Sequence, residues 1–151
     1  MATYSKQIQK IVTEFRLAGN KWPATTKEIA AWAIQTGRWQ LEDDIAIRKC
    51  AEDISRAMRE EYTTDAKGRR VRLKHSATMM LNGKQCVLWD DLRTAPRSHM
   101  QLAFQQRRHQ ILGDCRQLKT DVESYNDRHS AEKPLQMIFD FSLDLEEEDA
   151  A

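Results

Sequence analysis

A mainly α-helical fold with a small β-hairpin and a long C-terminal helix is what this sequence predicts. Three observations carry that prediction. Apolar residues recur at helical spacing in three segments of the first 62 residues. The period then switches to strict alternation at residues 70–75, RVRLKH, shortly before an Asn82-Gly83 turn. Finally, Ala95-Pro96 opens a seam from Met100 to Tyr125 with spacings of three, four or seven.

The elements follow in order. Residues 4–17 are expected to be helical, because Ile8, Ile11, Val12 and Phe15 form one apolar stripe and Gly19-Asn20 supplies a stop. Thr25-Thr-Lys-Glu28 has the spacing of a capping box, in which a hydroxyl and a carboxylate satisfy two orphan amides at a helix start. A second helix over residues 26–36 follows, with Ile29, Ala30, Trp32 and Ala33 inward, and Gly37 ends it. Trp39 and Leu41, in the connector, are expected to plug the core. Asp43 or Asp44 starts a third helix over residues 44–62, with Ile47, Cys50, Ala51, Ile54, Met58 and Glu61/Tyr62 at helical spacing. The hairpin comes next: residues 70–75 run out, Asn82-Gly83 turns, since both residues tolerate positive φ, and Cys86-Val-Leu-Trp89 returns. Asp65-Ala-Lys-Gly68 is a separate turn before it. A helix over residues 96–126 would be about 46 Å long, with Gly113 as a candidate kink. A short strand over residues 137–141 closes the list. The expected organisation is residues 1–92 as one domain, 93–128 as the long helix and 129–151 as a tail.

Composition excludes several classes. Apolar residues make up 40% of the 151 and charged residues 31%, which fits a chain that folds. No apolar run approaches the roughly 20 residues needed to span a bilayer, and the start of the chain lacks the apolar stretch of a secretory leader. The three cysteines, Cys50, Cys86 and Cys115, are widely spaced and fit reduced thiols, so a cytoplasmic location is expected. There is no Gly-rich phosphate loop, no H-E-x-x-H and no G-x-S-x-G, so neither catalysis nor a cofactor nor a metal site is expected. The acids Glu42, Asp43 and Asp44 suit a helix start better than a nuclease centre.

Charge is the informative feature. The net charge is only +1. Yet six of the 23 acids lie in residues 134–151, which contain no Lys or Arg, so the body before them is basic. Within that body, KGRRVRLK at residues 67–74 packs five cations with no acid. Strand alternation places Arg70, Arg72 and Lys74 on one face, with Lys67 and Arg69 before them, while Val71 and Leu73 face the core. Such a row can follow a phosphate backbone. The competing account is a solvated face or an edge protected against strand pairing. Trp22, Trp32, Trp39 and Trp89 are read as packing residues.

The order of helix, helix, connector, helix and basic hairpin resembles a winged helix-turn-helix domain. The resemblance rests on the Thr26-Lys-Glu-Ile-Ala30 helix start, the amphipathic third helix and the hairpin split by Asn82-Gly83, and it covers residues 4–92. The connector 37–43 and the third helix are both longer than usual for such domains. The resemblance implies binding of double-stranded DNA without chemistry, by a transcriptional regulator or replication accessory. Helix three would then present Arg48, Ser55, Arg56 and Arg59, and the wing Lys67, Arg69, Arg70, Arg72 and Lys74. The alternative is a protein–protein adaptor that uses the same scaffold without nucleic acid. The long helix has two readings, packing in cis or forming a homodimer through residues 96–126. Its Arg107 and Arg108 are either a second basic patch or a solvated face. Residues 136–141, QMIFDF from Gln136 to Phe141, resemble peptides that dock on bacterial sliding clamps; an amphipathic strand closing the core is the other reading.

Overall fold

The computed structural model of the chain describes residues 3–42 and 44–151. Five helices and four strands appear among them, as two small antiparallel hairpins embedded in a mostly helical chain. The chain divides into two compact units, residues 1–54 and 55–151. The expected 1–92 block therefore takes in all of the first unit and the hairpins of the second.

In the first unit, α1 spans Tyr4–Leu17 and α2 spans Thr26–Gln35. Each starts where its sequence says it should. The Thr3 hydroxyl accepts the Lys6 amide at 3.2 Å. At α2 the full capping box forms: Thr25 Oγ1 accepts the Glu28 amide at 3.2 Å, and the Thr25 amide donates to Glu28 Oε2 at 2.8 Å. Gly19, at φ +81°, turns the chain after α1 where a side chain would be strained. The core here is small: Ile11, Phe15 and Ala33 are buried, and Phe15 meets Trp32 edge-on at 5.5 Å. Ala30, expected inward, is exposed. Losing one cap in so small a core should be measurable. Thr25→Ala is expected to cost about 1 kcal/mol, read as a fall of about 2–4 °C in the thermal midpoint.

Helix α3 covers Ile45–Arg59, shorter at both ends than expected. No residue of α3 is buried; Ile47 is 75% and Ile54 52% exposed, and Cys50 and Ala51 are exposed too. In the connector before it, Leu41 is also exposed, while Trp39 is half-buried and donates its indole N–H to the Tyr4 hydroxyl at 3.0 Å. The apolar spacing made the helix, but spacing does not supply a covering surface. Asp43, one of the two expected helix starts, lies outside the described residues.

In the second unit, the single expected hairpin is two. Strand β1, Tyr62–Thr64, pairs with β2, Arg70–Arg72, and β3, Lys74–Leu81, pairs with β4, Lys84–Asp91. The basic run therefore does not return across Asn82-Gly83. Its Arg70–Arg72 part closes a hairpin around Asp65, whose Oδ1 accepts the amides of Lys67 and Arg69, both at 2.9 Å. The break falls at Leu73, whose amide donates to the Glu61 carbonyl at 2.9 Å and whose carbonyl accepts from Leu92 at 2.8 Å. Alternation passes through Leu73 without interruption, so periodicity alone cannot show the break. Tyr62, expected to end helix three, belongs to β1 instead. Asn82 (φ +51°) and Gly83 (φ +77°) make the two-residue turn of the second hairpin.

Leu73, His75 and Ala77 alternate inward and are buried, facing the first turns of α4, Arg97–Arg128, where His99 and Ala103 are buried as well. Two histidines are pinned there. The Nε2–H of His75 donates to the Arg72 carbonyl at 2.8 Å, and that of His99 to the His75 carbonyl at 2.9 Å. Gln106 completes the docking. Its Oε1 accepts the Thr78 amide at 2.7 Å and its Nε2 donates to the Thr78 carbonyl at 2.8 Å, so one side chain does the work of a neighbouring strand. Helix α4 passes Gly113 unbroken and is about 48 Å long for its 32 residues.

The tail differs from expectation. Residues 133–141 form no strand, and Ile138 is 82% exposed, so this segment does not close a core. The backbone groups of Leu135 are taken by the Asn126 side chain instead, at 2.8 and 3.0 Å. A fifth helix, α5, covers Ser142–Ala150. No described helix is long and apolar enough to cross a membrane.

Candidate anion-binding surface

The second unit gathers cations that are scattered in sequence. A concavity of about 140 Å³ is lined by Arg59 from α3, Arg72 from β2, Lys74 from β3 and Arg107 from α4. Ser76, Thr78, Trp89 and Gln110 complete most of the wall, and no carboxylate among the described residues lines it. At several times the roughly 30 Å³ share of one water, it has room for a phosphate group. An adjoining hollow of about 430 Å³ shares Arg72, His75 and Arg107 and adds Arg70. Five cations therefore border one continuous surface.

Local structure explains each position. Lys74, Ser76 and Thr78 alternate outward because Leu73, His75 and Ala77 alternate inward. Trp89 stands opposite Ser76 in the hairpin register. Arg107 and Gln110 lie four and seven residues beyond Ala103, on the helix face that docks against β3.

Electrostatics sort the expected residues. Arg59, Arg72 and Arg107 have no carboxylate partner among the described residues. Lys74 is 3.7 Å from Asp91, a loose pair, because Asp91 is engaged by Arg93 at 2.9 Å. Those hydrogen bonds from Arg93 hold the Asp91 carboxyl well below the usual carboxylate range. The sign follows: the contribution of this carboxylate to stability is present above its unfolded pKa, about 3.9, and is lost as pH falls through the native value. Arg70 is stacked over Tyr62 at 4.0 Å, which leaves its edges free to donate.

Other expected residues are not brought in. Arg69 is tied to Asp65 at 2.7 Å, and the hydrogen bond from the Arg69 amide, followed by this one from its side chain, lowers the Asp65 pKa. Arg48 is paired with Asp44 at 2.8 Å and lies 5.4 Å from the Tyr4 ring centre. Ser55 is half-buried, and Arg56 and Lys67 are exposed without lining the concavity. Of the helix-three set, only Arg59 lines it. Sequence reading left Arg107 open, as part of a second basic patch or of a solvated face, and the structure sets it beside Arg72 and Lys74. Its signal was present: Arg107 lies four residues beyond Ala103, beside Gln106 and at the edge of the apolar seam.

The arrangement suits charge neutralisation. Clustered cations repel one another until an anion sits among them. Among the described residues, no group of three or more His, Cys, Asp or Glu gathers to hold a metal ion. Removing the one acid that touches the cluster should strengthen it. Asp91→Asn is expected to elute from a heparin column at higher salt than the wild type, because Lys74 and Arg93 are then unneutralised.

No protein-family model, characterised protein or solved structure matches the chain.

Proposed function

We propose that this protein binds double-stranded DNA through its phosphate backbone and performs no chemistry on it, as a transcriptional regulator or replication accessory. The observation that carries the reading is the convergence of Arg59, Arg72, Lys74 and Arg107 on an acid-free concavity. Three helices followed by antiparallel hairpins support a winged helix-turn-helix reading of the chain. The contact region differs from the one that resemblance implies. It centres on the β2–β3 junction and α4, with α3 contributing through Arg59.

Phosphate contacts position a protein on DNA and dominate affinity, while base contacts supply specificity. The lining is rich in the first kind of group. The test is anisotropy of a labelled random-sequence duplex with the full chain at several salt concentrations. With about four phosphates neutralised, the logarithm of the binding constant should fall with a slope near −3.6 against the logarithm of salt. Absence of binding at low salt would overturn the reading.

One observation favours the adaptor reading instead. The exposed apolar stripe of α3, with Ile47 and Ile54, is what a protein partner would cover. The same titration separates the two, since an adaptor gives no salt-dependent duplex binding.

A further inference from the structure

We infer that the distal half of α4 is the interface of a parallel, in-register homodimer. The first turns of α4 are occupied by β3, through His99, Ala103 and Gln106. Beyond Gln110 the helix carries an apolar stripe of Ile111, Cys115, Leu118, Val122 and Tyr125. Ile111, Leu118 and Tyr125 are 53%, 46% and 47% exposed. Their spacing of four, three, four and three is that of coiled-coil core positions. Cys115 and β-branched Val122 fall on the a positions and Leu118 on a d position; Val at a with Leu at d favours two parallel strands.

Charge chooses the occupant and its direction. In a parallel pair, each Asp114 faces Lys119 of the second copy, a contact that occurs twice by symmetry. In an antiparallel pair, the registers that interleave this stripe set Asp121 against Asp121 with Lys119 against Lys119, or Asp114 against Asp121. Like charges therefore oppose those arrangements. Lys119 now pairs with Glu123 on its own helix at 2.7 Å, with both side chains 61% exposed, so redirecting it is inexpensive. Arg108 at the preceding a position ends the stripe, so the seam is short and the dimer modest in affinity.

Sedimentation equilibrium of the full chain, from micromolar to about millimolar concentration, tests this together with thiol oxidation by diamide. The expected mass rises with concentration from 17.6 kDa to about twice that value. Oxidation should link two chains through Cys115: the two thiols lose two protons and two electrons to diamide, which becomes the hydrazine, and Cys115→Ser abolishes the product. Leu118→Glu, at an exposed position, should weaken the dimer at least tenfold with the helical circular dichroism unchanged. Asp114→Lys should weaken it too, and the swap D114K/K119D should restore it. A monomer mass throughout would overturn the proposal. So would crosslinking through Cys50 or Cys86 in place of Cys115, a dimer indifferent to Leu118→Glu, or failure of the charge swap to restore association.

Discussion

Replacing Arg59, Arg72 and Arg107 together with Ala is expected to weaken duplex binding about a hundredfold at low salt and to flatten its salt dependence. The three guanidinium groups have no carboxylate partner among the described residues, so their favourable contacts wait for a ligand. Each neutralised phosphate contributes about −0.9 to the salt slope, so the triple variant should lose about 2.7 of it. Folding should be spared, because Arg59 and Arg107 are exposed and Arg72 is only half-buried. A useful control is Arg48→Ala. Arg48 is already paired with Asp44 and does not line the concavity, and its loss should leave duplex affinity within about twofold of the wild type.

Gln106→Ala is expected to be the more damaging single change. One amide satisfies both backbone groups of Thr78 and ties α4 to the open edge of β3. Removing it leaves a part-buried donor and acceptor without partners, at a cost of about 2 kcal/mol. Thermal unfolding should report this as a fall of about 4–8 °C in midpoint. Duplex affinity should fall as well, because Arg107 is carried to the concavity by the same docking. Gln106→Glu separates the two effects. A carboxylate can still accept the Thr78 amide, but it cannot donate to the carbonyl, and it adds an acid beside Arg107. It should therefore lose more affinity than Gln106→Ala for a similar loss of stability.

How much was legible in the sequence depends on how local each feature is. The Thr25–Glu28 box, the Asn82-Gly83 turn and the helix opened by Pro96 are each decided within a few residues, and each formed as read. In the Arg70–Lys74 alternation Leu73 is buried as expected, but Val71 is only half-buried, like Arg72. The pairing of this run was not legible, because the partner of β2 is β1, beyond a turn that looked separate. The α3 stripe shows the opposite failure. Spacing at Ile47 and Ile54 says that a face is apolar; only tertiary structure says whether something covers it. Likewise residues 137–141 had a strand's composition but found no strand to pair with, and Asn126 took the backbone of Leu135.

The candidate surface was half legible for the same reason. Arg72 and Lys74 belong to one local run, and Arg59 was read from its helix. Arg107 joins them only because His99, Ala103 and Gln106 press α4 onto β3. The pairing of Arg69 was legible too. Arg69 lies four residues from Asp65, and a carboxylate that closes a turn around two amides is well placed to hold it.

The most direct test follows backbone amide signals while a short duplex is added to the isotope-labelled full chain. If the cations of the β2–β3 junction and α4 hold the phosphates, the shifts should concentrate at residues 70–78 and 103–110, and salt should reverse them. Shifts confined to residues 45–56, with 70–78 and 103–110 silent, would contradict the account and return the interface to α3.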